Sequence, residues 1–376
     1  MVGREPRRRS TLDRRRQAGA GGLSRGGRAR TRRRSTHRWK DNGPKGLELV
    51  ADKRGATKKL LVGLTLLGSA FVFSACGGSG GGGAQGGGGS GEPVNFGTVD
   101  WPEAIAKTNV SATIVEALGH ETEIQQLGVP VIFKGLEQGD LDVFVEAWFP
   151  TMDTNMKQVE PGSVESVTTN LPEATFSVAV NREACDAGVE SHEDLDQYKE
   201  EFEGKIYGIE PGNDGNKVVM DMIKNDTYGL GDWELVESST NGMLSEVDRH
   251  IKDGEWVAFT GWEPHWMGQK YDMCLLEDPE MAWGGPSHVE TLVTADFGED
   301  TPELYQFFEQ MKVDKEIQGN WIDMIDNSGK EPEEVATEWL QDNPKVTDKW
   351  LSGVESSDGT PGPEALASHL EEQAGK

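Results

Sequence analysis

Apolar and polar positions along residues 94–354 fall in short blocks whose period switches repeatedly between that of a strand and that of a helix. Three apolar blocks end alike: Val94-Asn-Phe-Gly-Thr-Val-Asp-Trp101-Pro102, Leu141-Asp-Val-Phe-Val-Glu-Ala-Trp148-Phe-Pro150 and Trp256-Val-Ala-Phe-Thr-Gly-Trp262-Glu-Pro264. Each run is rich in Val and Phe and reads as a buried strand, and the proline after it removes the next ladder donor. Each tryptophan is therefore expected where a strand gives way to a loop. In open α/β sheets that edge is where ligands bind. Tryptophan is also a common packing residue, and the chain has 11. The repetition of one placement in three separated segments is what favours a shared site.

The blocks predict strand 94–100, helix 102–118 with Pro102 in its first turn and Gly119 at its end, strand 121–127, helix 129–138 and strand 141–147. A second unit is expected from strand 175–180 through a helix near 191–202, strand 205–209, a helix after Pro211-Gly212, strand 234–237, helix 241–252 and strand 256–261. Short strands near 272–276 and 289–295, helices at about 301–311, 314–326, 332–341 and 344–352, and a polar tail over 355–376 complete the pattern. Strands alternating with helices predict an α/β protein with parallel pairing. Two such units, with the chain returning to the first after the third Trp-Pro, predict two lobes joined by a hinge. Each lobe has a central β-sheet flanked by helices, one over 92–174 and 264–354, the other over 175–263.

Charge divides the chain sharply. Residues 1–75 hold 20 Lys+Arg against 5 Asp+Glu, which leaves a net charge of −43 from Cys76 onward within the overall −28. Residues 1–57 are Arg- and Gly-rich without apolar period, and are expected to be a disordered basic extension. Lys58-Lys59, an apolar stretch over 60–75 and small residues before Cys76 read as a secretory signal over 58–75. An n-region begins a few residues before its lysines, so the start of translation is expected near residue 50. Phe73-Ser-Ala-Cys76 resembles a bacterial lipobox, with Phe73 where Leu is usual, and implies that Cys76 becomes an acylated lipid anchor. A Gly-rich tether over 76–91 would then hold the body near a membrane, with a reach of roughly 20 Å. So acidic a body repels nucleic acid and favours a cationic ligand at long range, although adaptation of the surface to salt accounts for the charge equally well.

The three cysteines show no metal-ligand spacing, and no metal or cofactor is called for. Cys185 and Cys274 are free to pair if the body is exported, and the sequence leaves this open. His265 is a conceivable base, but there is no nucleophile set, no GxSxG, no HExxH and no phosphate loop, so an enzyme is not expected.

From about Asp100 to Val354 the chain resembles the substrate-binding proteins of ABC importers for quaternary ammonium compounds, most closely the choline-binding branch. The likeness is carried by Thr98-Val-Asp-Trp101, Leu141-Asp-Val-Phe-Val-Glu-Ala-Trp148-Phe-Pro-Thr-Met152, Lys205-Ile-Tyr-Gly-Ile-Glu-Pro-Gly-Asn-Asp-Gly-Asn216, Glu237-Ser-Ser-Thr-Asn-Gly-Met-Leu244 and Gly261-Trp-Glu-Pro-His265. It implies a type II periplasmic-binding-protein fold, a small quaternary ammonium ligand, and permease subunits with a cytoplasmic ATPase as partners. It places Trp101, Trp148, Trp262 and Phe176 on the four positions of an aromatic cage, Phe176 standing where choline-binding relatives carry Tyr. Glu103 falls where those relatives have an Asp that contacts the ligand, and Asn213 falls on a side chain that holds the ligand's hydroxyl end. Four cation–π contacts amount to roughly 2–8 kcal/mol against about 8 for micromolar binding, so lobe closure and a polar partner are needed as well. Near the motifs stand Glu103, Glu146, Asp214 and Glu263 but no Arg or Lys. That favours choline over the carboxylate-bearing alternative, glycine betaine or proline betaine.

Overall fold

The computed structural model describes residues 91–375. The basic extension, the signal segment with Cys76 and all but the last residue of the tether lie outside the described residues.

Strand β1 (Val94–Thr98) enters α1 (Pro102–Ala117), with Pro102 in the first helical turn where a missing N–H costs nothing. Strand β2 (Thr122–Gln126), α2 (Val129–Gln138) and β3 (Val143–Phe149) follow. Every residue of β3 is buried, as expected of an inner strand covered on both faces. After α3 (Asp153–Met156) comes β4 (Val164–Val180), the longest strand at 17 residues, and α4 (Arg182–Asp186). The chain continues through β5 (Lys205–Tyr207), α5 (Asp214–Lys224), β6 (Glu234–Val236), α6 (Thr240–Asp253), β7 (Ala258–Glu263), α7 (Met267–Tyr271), β8 (Cys274–Leu275) and β9 (Ser287–Thr294). It closes with α8 (Phe297–Asp300), α9 (Pro302–Gln310), α10 (Lys315–Asn327), α11 (Pro332–Asp342), α12 (Pro344–Trp350) and α13 (Gly362–Ala374).

The strand order β2-β1-β3-β9-β4-β7-β5-β6 divides at β4. Residues Val164 to Ala174 pair antiparallel with β9, and Thr175 to Val180 pair antiparallel with β7. One strand thus belongs to two sheets, and each sheet carries its own helices. In the first lobe, β1 is parallel to both β2 and β3, and α1 is buried around most of its circumference by packing on α10, α11 and α13. In the second, β5 is parallel to β6 and β7. The chain crosses between lobes along β4 and again between β7 and β9.

Four expectations differ from what is observed. Residues from 264 onward are expected in the first lobe, but α7 packs on β7 and β8 pairs with β4, so the second lobe extends through β8. The helix expected near 191–202 is two short 3₁₀ turns, His192–Asp194 and Asp196–Tyr198. Leu195, Tyr198 and Phe202 have helical spacing, but the Asp194 carboxylate accepts from the Glu190 and Ser191 amides and fixes the first turn locally. The expected polar tail contains α13, whose Leu366 and Leu370, one turn apart, are buried. Strand β4 begins 11 residues before the expected strand at 175–180. Its polar first half, with Pro172, reads as loop in sequence, and the ladder is indeed irregular between Leu171 and Ala174.

Cys185 and Cys274 form a disulfide with Cα atoms 6.2 Å apart, joining the end of α4 to β8 within the second lobe. Among the described residues no helix is long and apolar enough to cross a membrane.

Candidate ligand-binding site

The strand ends converge where the two lobes meet. Trp101 and Glu103 open α1, Trp148 lies near the end of β3, Phe176 sits on β4 just past the change of sheet, and Trp262 lies near the end of β7. Together with Ile209 these side chains line one small pocket. Phe176 is its hub. The Trp148 and Trp262 rings meet it edge to face, with centroids 6.1 and 5.8 Å away and interplanar angles of 69° and 80°. In this conformation the space between the rings has room for about one water molecule. The rings must part to admit a trimethylammonium group.

Each indole N–H is held by a carboxylate. Trp101 Nε1 donates to Glu210 Oε1 at 3.1 Å, Trp148 Nε1 to Glu146 Oε1 at 3.0 Å, and Trp262 Nε1 to Glu103 Oε1 at 2.8 Å. These bonds fix the ring planes and leave the π faces for other contacts. Two of them cross between lobes: Glu210 follows β5 in the second lobe and holds Trp101 of the first, whereas Glu103 of the first holds Trp262 of the second. Two of the three indoles are thus held by a carboxylate of the opposite lobe, and Trp148 by one of its own strand.

Beneath the aromatic layer lies a buried charged layer. Glu146 Oε2 is 2.5 Å from Lys107 Nζ, and both side chains are fully buried. Lys107 also donates to Asn170 Oδ1, and Asn170 Nδ2 donates to the Val145 carbonyl and to Thr291 Oγ1. The pair is thus tied into a buried polar network through Lys107 and Asn170, while Glu146 Oε2 meets Lys107 through charge and has no hydrogen bond of its own. Glu103 differs in having neither a hydrogen bond nor a paired cation at its buried Oε2. Desolvation above all, with the Glu146 charge adding, pushes its carboxyl up from 4.5 to about 8, against the smaller opposing effects of the Trp262 bond and Lys107. Burial also raises the Glu210 carboxyl, which lies beside a cleft of about 260 Å³ outside the cage.

Asn213 does not line the cage. It caps α5, its Oδ1 accepting from the Gly215 amide at 2.7 Å, and its Nδ2 donates to Glu210 at 3.1 Å. The side chain expected to hold the ligand's hydroxyl end is thus a helix cap on the wall of the neighbouring cleft. His265 packs between Trp262 and Trp266. Burial drives its pKa down to about 3, so it stays neutral and is a poor base.

Several contributors escape the sequence reading. Lys107 lies one turn beyond Glu103 on α1, a spacing that puts both on one helical face, and it supplies the cation thought missing near the motifs. Glu146 and Glu210 stand inside the quoted motifs, but nothing local says that they bind indoles. Trp283 backs Phe176 with a centroid distance of 5.0 Å, from a loop far along the chain. Gly215 faces the Phe176 ring so closely that a Cβ there would lie 2.3 Å from its Cζ. Only a glycine leaves this ring its place.

Two α/β lobes joined by a shared strand, with a polar-floored aromatic site between them, define a solute receptor of the type II periplasmic-binding class. The family model described as the substrate binding domain of the ABC-type glycine betaine transport system matches residues 92–342, and the chain belongs to that family. Among solved structures, the chain is similar to an ABC-transporter choline binding protein in complex with choline, at 38% identity and a TM-score of 0.71 over 74% of this chain and 98% of that one. It is also similar to lactococcal OpuAC in its closed-liganded conformation with glycine betaine, at 29% identity and a TM-score of 0.62 over 69% and 99%. The glycine betaine/carnitine transport binding protein GbuC of Listeria monocytogenes is 33% identical over 178 residues, 47% of this chain and 58% of that protein. The chain thus spans little more than half the length of that relative.

Proposed function

We propose that the protein is an extracytoplasmic receptor that captures choline between Trp101, Trp148, Phe176 and Trp262 and delivers it to an ABC permease. The observation that carries this reading is the pairing of an aromatic lining with one carboxylate in that lining, Glu103, whose Oε2 has no partner. The rings offer faces to a trimethylammonium group, which has no N–H to donate. Glu103 is the charged residue lining the pocket, and Lys107 is neutralised by Glu146, so the charge facing the ligand is negative or, with Glu103 protonated, absent. A net cation suits that balance better than a zwitterion whose carboxylate would need a donor. The similarity to a choline binding protein supports the same choice.

Glycine betaine or proline betaine is the second reading, favoured by the description of the matching family. Calorimetry of the protein with choline, acetylcholine, glycine betaine and proline betaine tests both. Choline is expected to bind most tightly, and a preference for a betaine would replace choline while keeping the cage. We further propose that Cys76 is the lipid anchor, on the strength of the apolar stretch, small residues and Gly-rich segment around it. The Cys76→Ala protein should leave the membrane fraction or remain unprocessed, and unchanged fractionation would remove the anchor.

A further inference from the structure

We propose that Asn155 and Asp214 form a latch between the lobes that sets how long a captured ligand is retained, although neither side chain lines the cage. This deepens the reading of the cage as a quaternary ammonium site and rests on it. Asn155 lies on α3, seven residues past Trp148 in the first lobe, and Asp214 is the first residue of α5 in the second. The Asn155 amide Nδ2 is 2.8 Å from both Asp214 oxygens, and only 8% of Asn155 and 5% of Asp214 is exposed. The contact thus joins positions 59 apart in the chain and from different lobes. The cross-lobe bonds from Trp101 to Glu210 and from Trp262 to Glu103 use cage residues, and the bond from Trp266 Nε1 to Asp326 lies at an exposed edge, so the Asn155–Asp214 pair is the buried cross-lobe contact that separates closure from ligand contact.

The physical role follows from what each partner has without the other. Among the described residues, Asn155 supplies the side-chain hydrogen bonds made to the Asp214 carboxylate, and Lys217 on the same helix acts on it only through its charge. When the lobes separate, water can solvate both groups. When they shut, Asp214 is desolvated, and its carboxyl is pushed up by burial to about 6. Removing Asn155 therefore leaves an ionised carboxylate without its amide in the shut form alone. The penalty falls on closure and not on folding of either lobe. Asp214→Asn has the opposite character: it removes the buried charge and keeps an oxygen that can accept from Asn155.

The test compares full-length wild-type, Asn155→Ala and Asp214→Asn proteins by stopped-flow binding of choline and by small-angle scattering of the ligand-free proteins. Asn155→Ala is expected to raise the dissociation rate about tenfold, the cost of one unpaired buried acceptor, with the association rate within about twofold. Its ligand-free radius of gyration should increase, and its thermal midpoint should stay close to that of the wild type. Asp214→Asn should keep the dissociation rate within about threefold of wild type, because one bond survives. A wild-type dissociation rate and scattering profile in Asn155→Ala would overturn the latch, as would a loss in Asp214→Asn equal to that in Asn155→Ala. If the wild-type protein binds no quaternary ammonium compound, the cage reading fails, and the scattering comparison still decides whether the pair holds the lobes together.

Discussion

Replacing Trp262 by alanine should weaken choline binding by about 3 kcal/mol, more than a hundredfold, and Trp148→Ala should do nearly as much. Each change removes a ring face, for which a desolvated cation–π contact is worth about 2 kcal/mol, and also a wall whose loss admits water to the site. For Trp262 there is a further cost. Its indole is the hydrogen-bond donor to Glu103 Oε1, so the alanine variant leaves both oxygens of a fully buried carboxyl without partners. Trp339 and Trp350 serve as controls. They stack on each other in the helical layer of the first lobe, away from the cage, so conservative changes there should alter stability but not ligand preference. Titration calorimetry on the four variants checks the prediction. Loss of binding from the Trp339 and Trp350 changes, with the cage variants unaffected, would show that the site lies elsewhere.

Choline affinity should rise with pH from the acid side and level off above about pH 8. Glu103 holds its proton up to about 8 in this conformation, because burial and the Glu146 charge disfavour the anion. A cation seated against it reverses that preference, so binding expels the proton. Below about 8 each pH unit then costs up to about 1.4 kcal/mol of affinity, until the pKa of the occupied site is reached. Glu103→Gln should flatten this profile, lower choline affinity at pH 8.5 by about 1–3 kcal/mol, and cost glycine betaine less or even help it. Proton release can be read directly from the dependence of the binding enthalpy on buffer ionisation. An unchanged pH profile in Glu103→Gln would show that the titrating group is another one. The same group affects the ligand-free fold with the opposite sense. A carboxyl whose folded pKa lies above the unfolded 4.5 contributes stability that is complete below about 4.5 and is lost as pH rises through about 8. The unliganded protein should therefore lose stability across the range in which it gains affinity.

How much of this was legible in the sequence depends on the range over which each signal acts. Strand-Trp-Pro endings are local, and they place Trp101, Trp148 and Trp262 on one pocket wall. Phe176 and Glu103 entered through the family likeness, not through any pattern of their own, and both line the pocket as well. Asn213 carries two readings at once: the Pro-Gly-Asn-Asp-Gly segment that matches a ligand contact is also a sound helix start, and in this conformation the side chain forms the cap. The charged floor was invisible for a different reason. Lys107, Glu146 and Asn170 come from a helix and two strands, and only tertiary packing reveals that they form one network. Trp283 and Gly215 act on Phe176 from loop and helix positions that carry no periodic signal. The helix α13 was missed because two leucines in a polar segment are too short a stripe to stand out from a tail.

The crossed anchoring of the cage, with Glu210 holding Trp101 and Glu103 holding Trp262 from opposite lobes, bears on unloading. A receptor whose site were built on one lobe would surrender its cargo only to a stronger competitor. In the proposed cycle, a permease that prised the lobes apart would divide the rings into two sets and at the same stroke free two of the three indoles to rotate. If the binding free energy is shared about equally between the lobes, a site worth about −8 kcal/mol becomes two fragments worth about −4 each, which turns micromolar retention into millimolar. Transfer then needs no rival binding site of high affinity on the membrane side. The work of separation is done on the protein, and the solute leaves because its container has ceased to exist.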